Sequence, residues 1–161
     1  MRKKTAPAGP GLPGDPALFK ALTEIAIIAN LAEHAFARTM PGKLTVAQFG
    51  VLNHLLRLGA METVGELASA FQVAQPTMSS TVKKLLEKKY VDIVPDTEDR
   101  RVKRVRVTSK GKAMREAAVQ AIAPQIASLK AALPGMDWEG LLSSLLRLRT
   151  CLDGARPNGP G

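Results

Sequence analysis

Apolar residues at Leu18, Leu22, Ile25, Ala29, Ala32 and Phe36 recur at intervals of four and three, which lines them along one side of a helix. Ile27, Ile28 and Leu31 widen that side beyond what one neighbour covers, so part of it is expected to meet a second subunit. Asp15-Pro16 predicts the start, with Asp15 as cap and Pro16 in the first position, and Met40-Pro41-Gly42-Lys43 predicts the end. Thr45-Val46-Ala47-Gln48 then has the form of a capping box, with Leu44 and Phe49 placed as a hydrophobic staple. Val51, Leu52, Leu55, Leu56 and Leu58 make the next segment a core helix, and Gly59 closes it.

A second capping box, Thr63-Val64-Gly65-Glu66, opens a short helix whose apolar side is Leu67, Ala68 and Phe71. Gln72-Val73-Ala74 breaks the pattern, and Pro76 falls in the first turn of another helix, where its missing amide costs nothing. In that helix Met78, Val82, Leu85 and Leu86 face inward and leave small polar residues and Lys83 outside. The pattern reads as helix, short turn, helix. Its period then changes to two: Val91 and Ile93, then Val105 and Val107, alternate with Asp92, Arg104 and Arg106, as in half-buried strands. Between them Asp96-Thr97-Glu98-Asp99-Arg100-Arg101 is too charged to be core and forms the tip of a hairpin.

Helical spacing returns from Ser109, read as a cap, through Met114, Val119, Ile122, Ile126 and Leu129 to about Leu133, with a kink expected at Pro124. Pro134-Gly135 breaks it. Asp137 caps a last helix with Leu141, Leu145, Leu148 and Leu152 in one row and Trp138, Leu142 and Leu146 beside it, an apolar surface that requires a partner. The fold class is therefore mainly α with a small β-hairpin wing. Residues 1–14 and 153–161, rich in Pro and Gly, are expected to be disordered tails around a single domain over 15–152.

Charge gives this pattern a partner. Lys and Arg outnumber Asp and Glu by 9 over the whole chain, and residues 83–112 alone carry eleven cations against five anions, a net +6. Such a concentration is the footprint of a polyanion binder. A single cysteine excludes an internal disulfide framework and fits a reducing compartment, and no apolar run reaches the length of a membrane span, so a cytoplasmic location is expected. Catalysis finds no nucleophile, paired-carboxylate or phosphate-loop arrangement, and an enzyme is not expected. Neither a cofactor nor a metal is expected; His34, Glu33 and His54 lack metal-site spacing.

Leu44-Thr45 with Gln48-Phe49, the segment from Thr63 to Phe71, the helix from Gln75, the Asp99-Arg100-Arg101 tip and Val107-Thr108 with Gly111 together resemble the MarR family of bacterial winged helix-turn-helix transcription regulators, over about residues 17–152. Three positions depart from the family pattern: Ala74 stands where a capping Ser is usual, Lys89 where a Gly ends the recognition helix, and Ser80 where an Arg is common. The resemblance implies a DNA-binding lobe at about 44–111 and dimerisation helices at about 16–40 and 109–152. Gln75, Pro76, Thr77, Ser79 and Ser80 are expected to enter a major groove, with Lys83, Lys84, Lys88 and Lys89 meeting phosphates, and Asp99, Arg100, Arg101 and Lys103 to form the wing contact. Residues two apart in a tight turn lie side by side, so Asp99 is expected to hold the Arg101 guanidinium extended toward a minor groove.

The resemblance further implies a homodimeric repressor on a palindromic operator, relieved by a small aromatic or phenolic effector bound between the dimerisation helices and the lobe, for which Phe36, Arg38 and His54 are candidates. Two other readings compete. One is a basic helical adaptor that dimerises and docks an acidic protein. The other is a redox-sensing regulator acting through Cys151, against which stands the expectation that Cys151 is a small buried residue beside Leu148 and Leu152.

Overall fold

Thr45 and Thr63 start their helices as their sequences require. The hydroxyl of Thr45 accepts from the amide of Gln48 at 3.2 Å, and that of Thr63 from the amide of Glu66 at 3.1 Å, with each box closed from the other side. The computed structural model describes residues 11–155. Its elements are α1 (Ala17–Ala37), a 3-10 turn (Pro41–Lys43), α2 (Val46–Leu58), α3 (Val64–Phe71), α4 (Gln75–Glu87), β1 (Val91–Pro95), β2 (Lys103–Val107), α5 (Ser109–Ala132) and α6 (Trp138–Gly154). Most of the two predicted tails lies outside the described residues; the last helix extends to Gly154, two residues past the expected end of the domain.

The core belongs to the lobe. Leu44, Val51, Leu52, Leu55, Leu67, Met78, Val82, Leu85, Tyr90, Val91, Val105 and Ala118 are buried together, so α2, α3, α4, the hairpin and the first half of α5 share one apolar interior. β1 and β2 pair antiparallel with Val91 opposite Val107 and Ile93 opposite Val105. A short third rung, which the hydrophobic pattern did not announce, joins them: the amide of Val105 donates to the carbonyl of Glu62 at 2.7 Å. Ile93, which the alternation places on a half-buried strand, is 39% exposed, although Val105 opposite it is fully buried.

Helix ends account for most of the other differences. Asp15 does not cap α1: its carboxylate turns back to the amide of Leu12 at 2.6 Å, and Pro16 itself stands at the cap. The cap of α5 is Thr108 and not Ser109, its hydroxyl accepting from the amide of Gly111 at 3.0 Å. That helix runs on through Pro124 to Ala132. Gly59 ends α2 in the left-handed region as expected, which leaves Leu58 on the exposed side rather than in the core.

Nothing on α1 or α6 is buried. Leu18, Phe19, Ile28 and Leu31 on α1, Ile126 and Leu129 on α5, and Leu142 and Leu152 on α6 are each more than half exposed. An apolar cleft of about 440 Å³ runs between α1 and α5, lined by Ile28, Leu31, Phe36, Ile126 and Leu129. Among the described residues no helix is long and apolar enough to cross a membrane.

Candidate nucleic-acid interface

α4 presents a polar face because its apolar positions are fully used. Met78, Val82 and Leu85 are buried, and Gln75, Pro76, Thr77, Ser79, Ser80, Lys83 and Lys84 are all exposed. Both ends of this helix are locally unfavourable. Ala74 offers no side-chain cap, and Lys89 is held at φ 60°, the left-handed conformation that a glycine adopts without a Cβ penalty. The chain makes this turn anyway, since the amides of Lys89 and Tyr90 bond to the carbonyls of Leu86 and Leu85 at 2.8 and 2.9 Å, which satisfies the helix end and swings buried Tyr90 into the core.

At the wing one carboxylate organises the loop. Asp96 Oδ1 accepts from the amides of Glu98 and Asp99 at 2.9 and 3.1 Å, while its other oxygen pairs with Arg104. Asp99, fixed by that turn, then grips Arg101: Oδ1 accepts from the Arg101 amide at 3.0 Å and from Nε at 3.1 Å, and Oδ2 accepts from Nη2 at 3.1 Å. The Arg101 side chain remains 92% exposed, so its charge is oriented without being covered. The Arg101 hydrogen bonds draw the Asp99 carboxyl below the usual range, and the Arg104 guanidinium with the two loop amides lowers Asp96 to about 2. Arg100 and Lys103 lie exposed on either side.

The basic segment is less uniformly available than its net charge implies. Lys88, expected near phosphates, instead donates to the carbonyl of Lys43 at 2.7 Å and to buried Gln48 at 2.8 Å, tying the end of α4 to the start of α2. Lys110 donates to the carbonyl of Lys88 at 3.0 Å and lies 5.3 Å from the Tyr90 ring centre. Arg106 pairs with Asp92 across the hairpin at 3.2 Å. Arg115 joins α5 to α2 through Asn53. No pattern in the sequence announced these partners, because each pairs residues far apart in the chain.

The three effector candidates do not converge. Phe36 lines the α1–α5 cleft, but neither Arg38 nor His54 is in its walls. His54 Nε2 is 3.0 Å from Glu62 Oε2 and meets the Phe71 ring edge-on, while Arg38 is exposed. His34 Nδ1 is bonded to the carbonyl of Asn30. Cys151 is exposed rather than buried, as no residue of α6 is buried within this chain. Among the described residues no group of three His, Cys, Asp or Glu is placed to hold a metal.

Two short helices joined by a tight turn, followed by a hairpin with a forked Arg at its tip, define a winged helix-turn-helix protein. Residues 43–102 match the sequence profile of the MarR family. The fold agrees over a longer span. BldR from Sulfolobus solfataricus, a transcriptional regulator, superposes with a TM-score of 0.70 at 20% identity, covering 84% of this chain and 99% of its own. A probable transcriptional regulator from Pseudomonas aeruginosa gives 0.62 at 25% identity over 81% and 98%. A mutant of MepR from Staphylococcus aureus, solved bound to an oligodeoxyribonucleotide, gives 0.55 at 20% identity over 86% and 99%. No curated protein matches the sequence. The chain thus has the winged helix fold of these transcription regulators, and its residues 43–102 are similar to the MarR family.

Proposed function

We propose that the protein binds double-stranded DNA sequence-specifically as a homodimer, with α4 of each subunit in a major groove and each wing in the adjoining minor groove. The observation that carries this reading is the Asp99 fork, which holds the exposed Arg101 guanidinium outward at the wing tip. A narrow minor groove has the negative potential that attracts such a charge. Gln75, Ser79 and Ser80 on α4 supply short hydrogen-bonding groups for base edges, and Lys83 and Lys84 supply phosphate contacts. Dimerisation is supported by the uncovered apolar sides of α1, α5 and α6. A two-fold dimer reads a palindrome; repression, relieved by a small aromatic or phenolic effector, follows the family resemblance, and the α1–α5 cleft has a suitable apolar lining for such a molecule.

The test is selection of bound duplexes from random sequence, then titration of the recovered site. Arg101→Ala is expected to weaken binding while leaving thermal stability and dimerisation unchanged, and Asp99→Ala to do the same less severely. Lys83→Ala should weaken all duplexes about equally and reduce the slope of log affinity against log salt by about 1. If Arg101→Ala binds as tightly as the parent, the wing is not a DNA contact and docking of an acidic protein becomes the better account of the basic surface.

A further inference from the structure

The basic segment contains one arginine that no exposed-charge argument explains. Arg104 sits second in β2 with only 27% of its side chain exposed, and it reaches across to α3 and to the wing loop at once. Its Nε pairs with Asp96 at the base of the wing loop. Nη1 lies 3.2 Å from Glu66 Oε2 on α3 and 3.3 Å from the carbonyl of Met61. Glu66 is itself held, because the same Oε2 accepts from the amide of Thr63 at 2.6 Å in the capping box.

These contacts form an unbroken chain. It begins at the capped end of α3, passes from Glu66 to Arg104 and from Arg104 to Asp96, continues through Asp96 Oδ1 to the amide of Asp99, and ends with the Asp99 carboxylate on Arg101. We infer that Arg104 is a positioning residue, which locks the wing to the helix-turn-helix and thereby sets the direction in which Arg101 is presented. The inference rests on the DNA-binding reading and adds to it a residue that itself touches no DNA. Past Val91 and Val105, which sit in the core, the hairpin has little else to orient it. Ile93 is exposed, and past the Val105 rung the charged chain supplies the cross-link to α3. Arginine suits the task because its planar fork donates in several directions at once, which a lysine ammonium on a flexible stem does not reproduce. The depressed Asp96 carboxyl and the raised Arg104 guanidinium, each shifted chiefly by the other, agree with a pair that stays ionised.

The inference is tested on the intact chain with the duplex recovered by selection. Arg104→Met keeps the aliphatic stem and removes the link; it is expected to weaken specific binding roughly tenfold, within the range by which residues of one hydrogen-bonded network couple. In an Arg101→Ala background the same change should cost little more, since the residue it positions is gone. Arg104→Lys should restore only part of the loss. Glu66→Gln is nearly isosteric and keeps an acceptor for the Thr63 amide, so it guards against misfolding. It also removes a negative charge beside the interface, which by itself would tighten binding to a polyanion; the chain of contacts predicts weaker binding instead. Independently of DNA, the NMR chemical shift of the Arg101 Nε–H, which reports its hydrogen bond to Asp99, should move in Arg104→Met. Additive losses with Arg101→Ala, tighter binding by Glu66→Gln, or an unchanged Arg101 signal would each overturn the assignment. A parent that binds no selected duplex, by contrast, removes the DNA reading, and the Arg101 signal still reports on the chain of contacts alone.

Discussion

Asp96 and Gly111 show how a single residue carries an arrangement that its own chemistry does not announce. The Asp96 carboxyl is lowered from the ordinary 3.8 to about 2 by Arg104 and the amides of Glu98 and Asp99. A group whose folded pKa is depressed contributes stability that is complete above its unfolded pKa and is lost as pH falls through the folded one. The wing turn should therefore stay formed as ordinary carboxylates protonate, and loosen only between 3.8 and about 2. An NMR titration of the Asp96 carboxyl carbon should show a midpoint near the lower value, moving up in Arg104→Met. Gly111 is explained by crowding: a Cβ placed there would lie 2.0 Å from the carbonyl oxygen of Tyr90. The close approach arises because Thr108 caps α5 while its own amide and hydroxyl bond to the carbonyls of Tyr90 and Lys89. Gly111→Ala has backbone in its way and not a movable side chain, so it should destabilise by about 3 kcal/mol or more, the upper end of overpacking costs, as measured by urea denaturation.

At the scale of elements, α4 is the helix whose local sequence agrees least with its structure. Its uncapped start at Ala74 and the left-handed Lys89 just past its end are both overridden by tertiary contacts, with Met78, Val82 and Leu85 buried and Tyr90 swung into the core. Ala74→Ser should stabilise by about 1 kcal/mol by satisfying a first-turn amide. Lys89→Gly should stabilise by about 1 kcal/mol by removing the left-handed Cβ penalty. Denaturation midpoints of the two variants and their double mutant should rise nearly additively, because the sites lie at opposite ends of the helix. Neither change should increase DNA affinity, which separates the stability of the helix from its contact surface.

The whole molecule combines a lobe with a continuous core and terminal helices that have none. A chain that leaves Leu18, Ile28, Leu31, Leu142 and Leu152 this exposed has apolar surface to cover, and the proposed homodimer would cover it on both copies. Removal of residues 137–161 should abolish the dimer or cause aggregation, read by light scattering; a soluble dimer of unchanged affinity would contradict this assignment of α6. Two symmetry-related copies of α4 on one face of a duplex should select half-sites whose centres are roughly 10 base pairs apart. Recovery of a single asymmetric half-site would exclude the two-fold arrangement.

Local and periodic features were legible in advance. Both capping boxes, the Gly59 end, the inward side of α4, the alternation along each strand and the Asp99–Arg101 contact depend on residues two to four apart, where backbone geometry alone decides who meets whom. Choices between adjacent caps were not decided by pattern: Asp15 bonds backward to Leu12, and Thr108 displaces Ser109 because Thr108 also bonds Lys89. Tertiary structure alone decided which cations remain available. Lys88 and Arg104 look like their neighbours in composition, yet one is bound by Lys43 and Gln48, some forty residues away, and the other by Glu66 and Asp96. Charge patterning along a chain counts ionised groups; only folding, which brings distant acceptors within hydrogen-bond reach, determines which of those charges hold the protein together and which face outward.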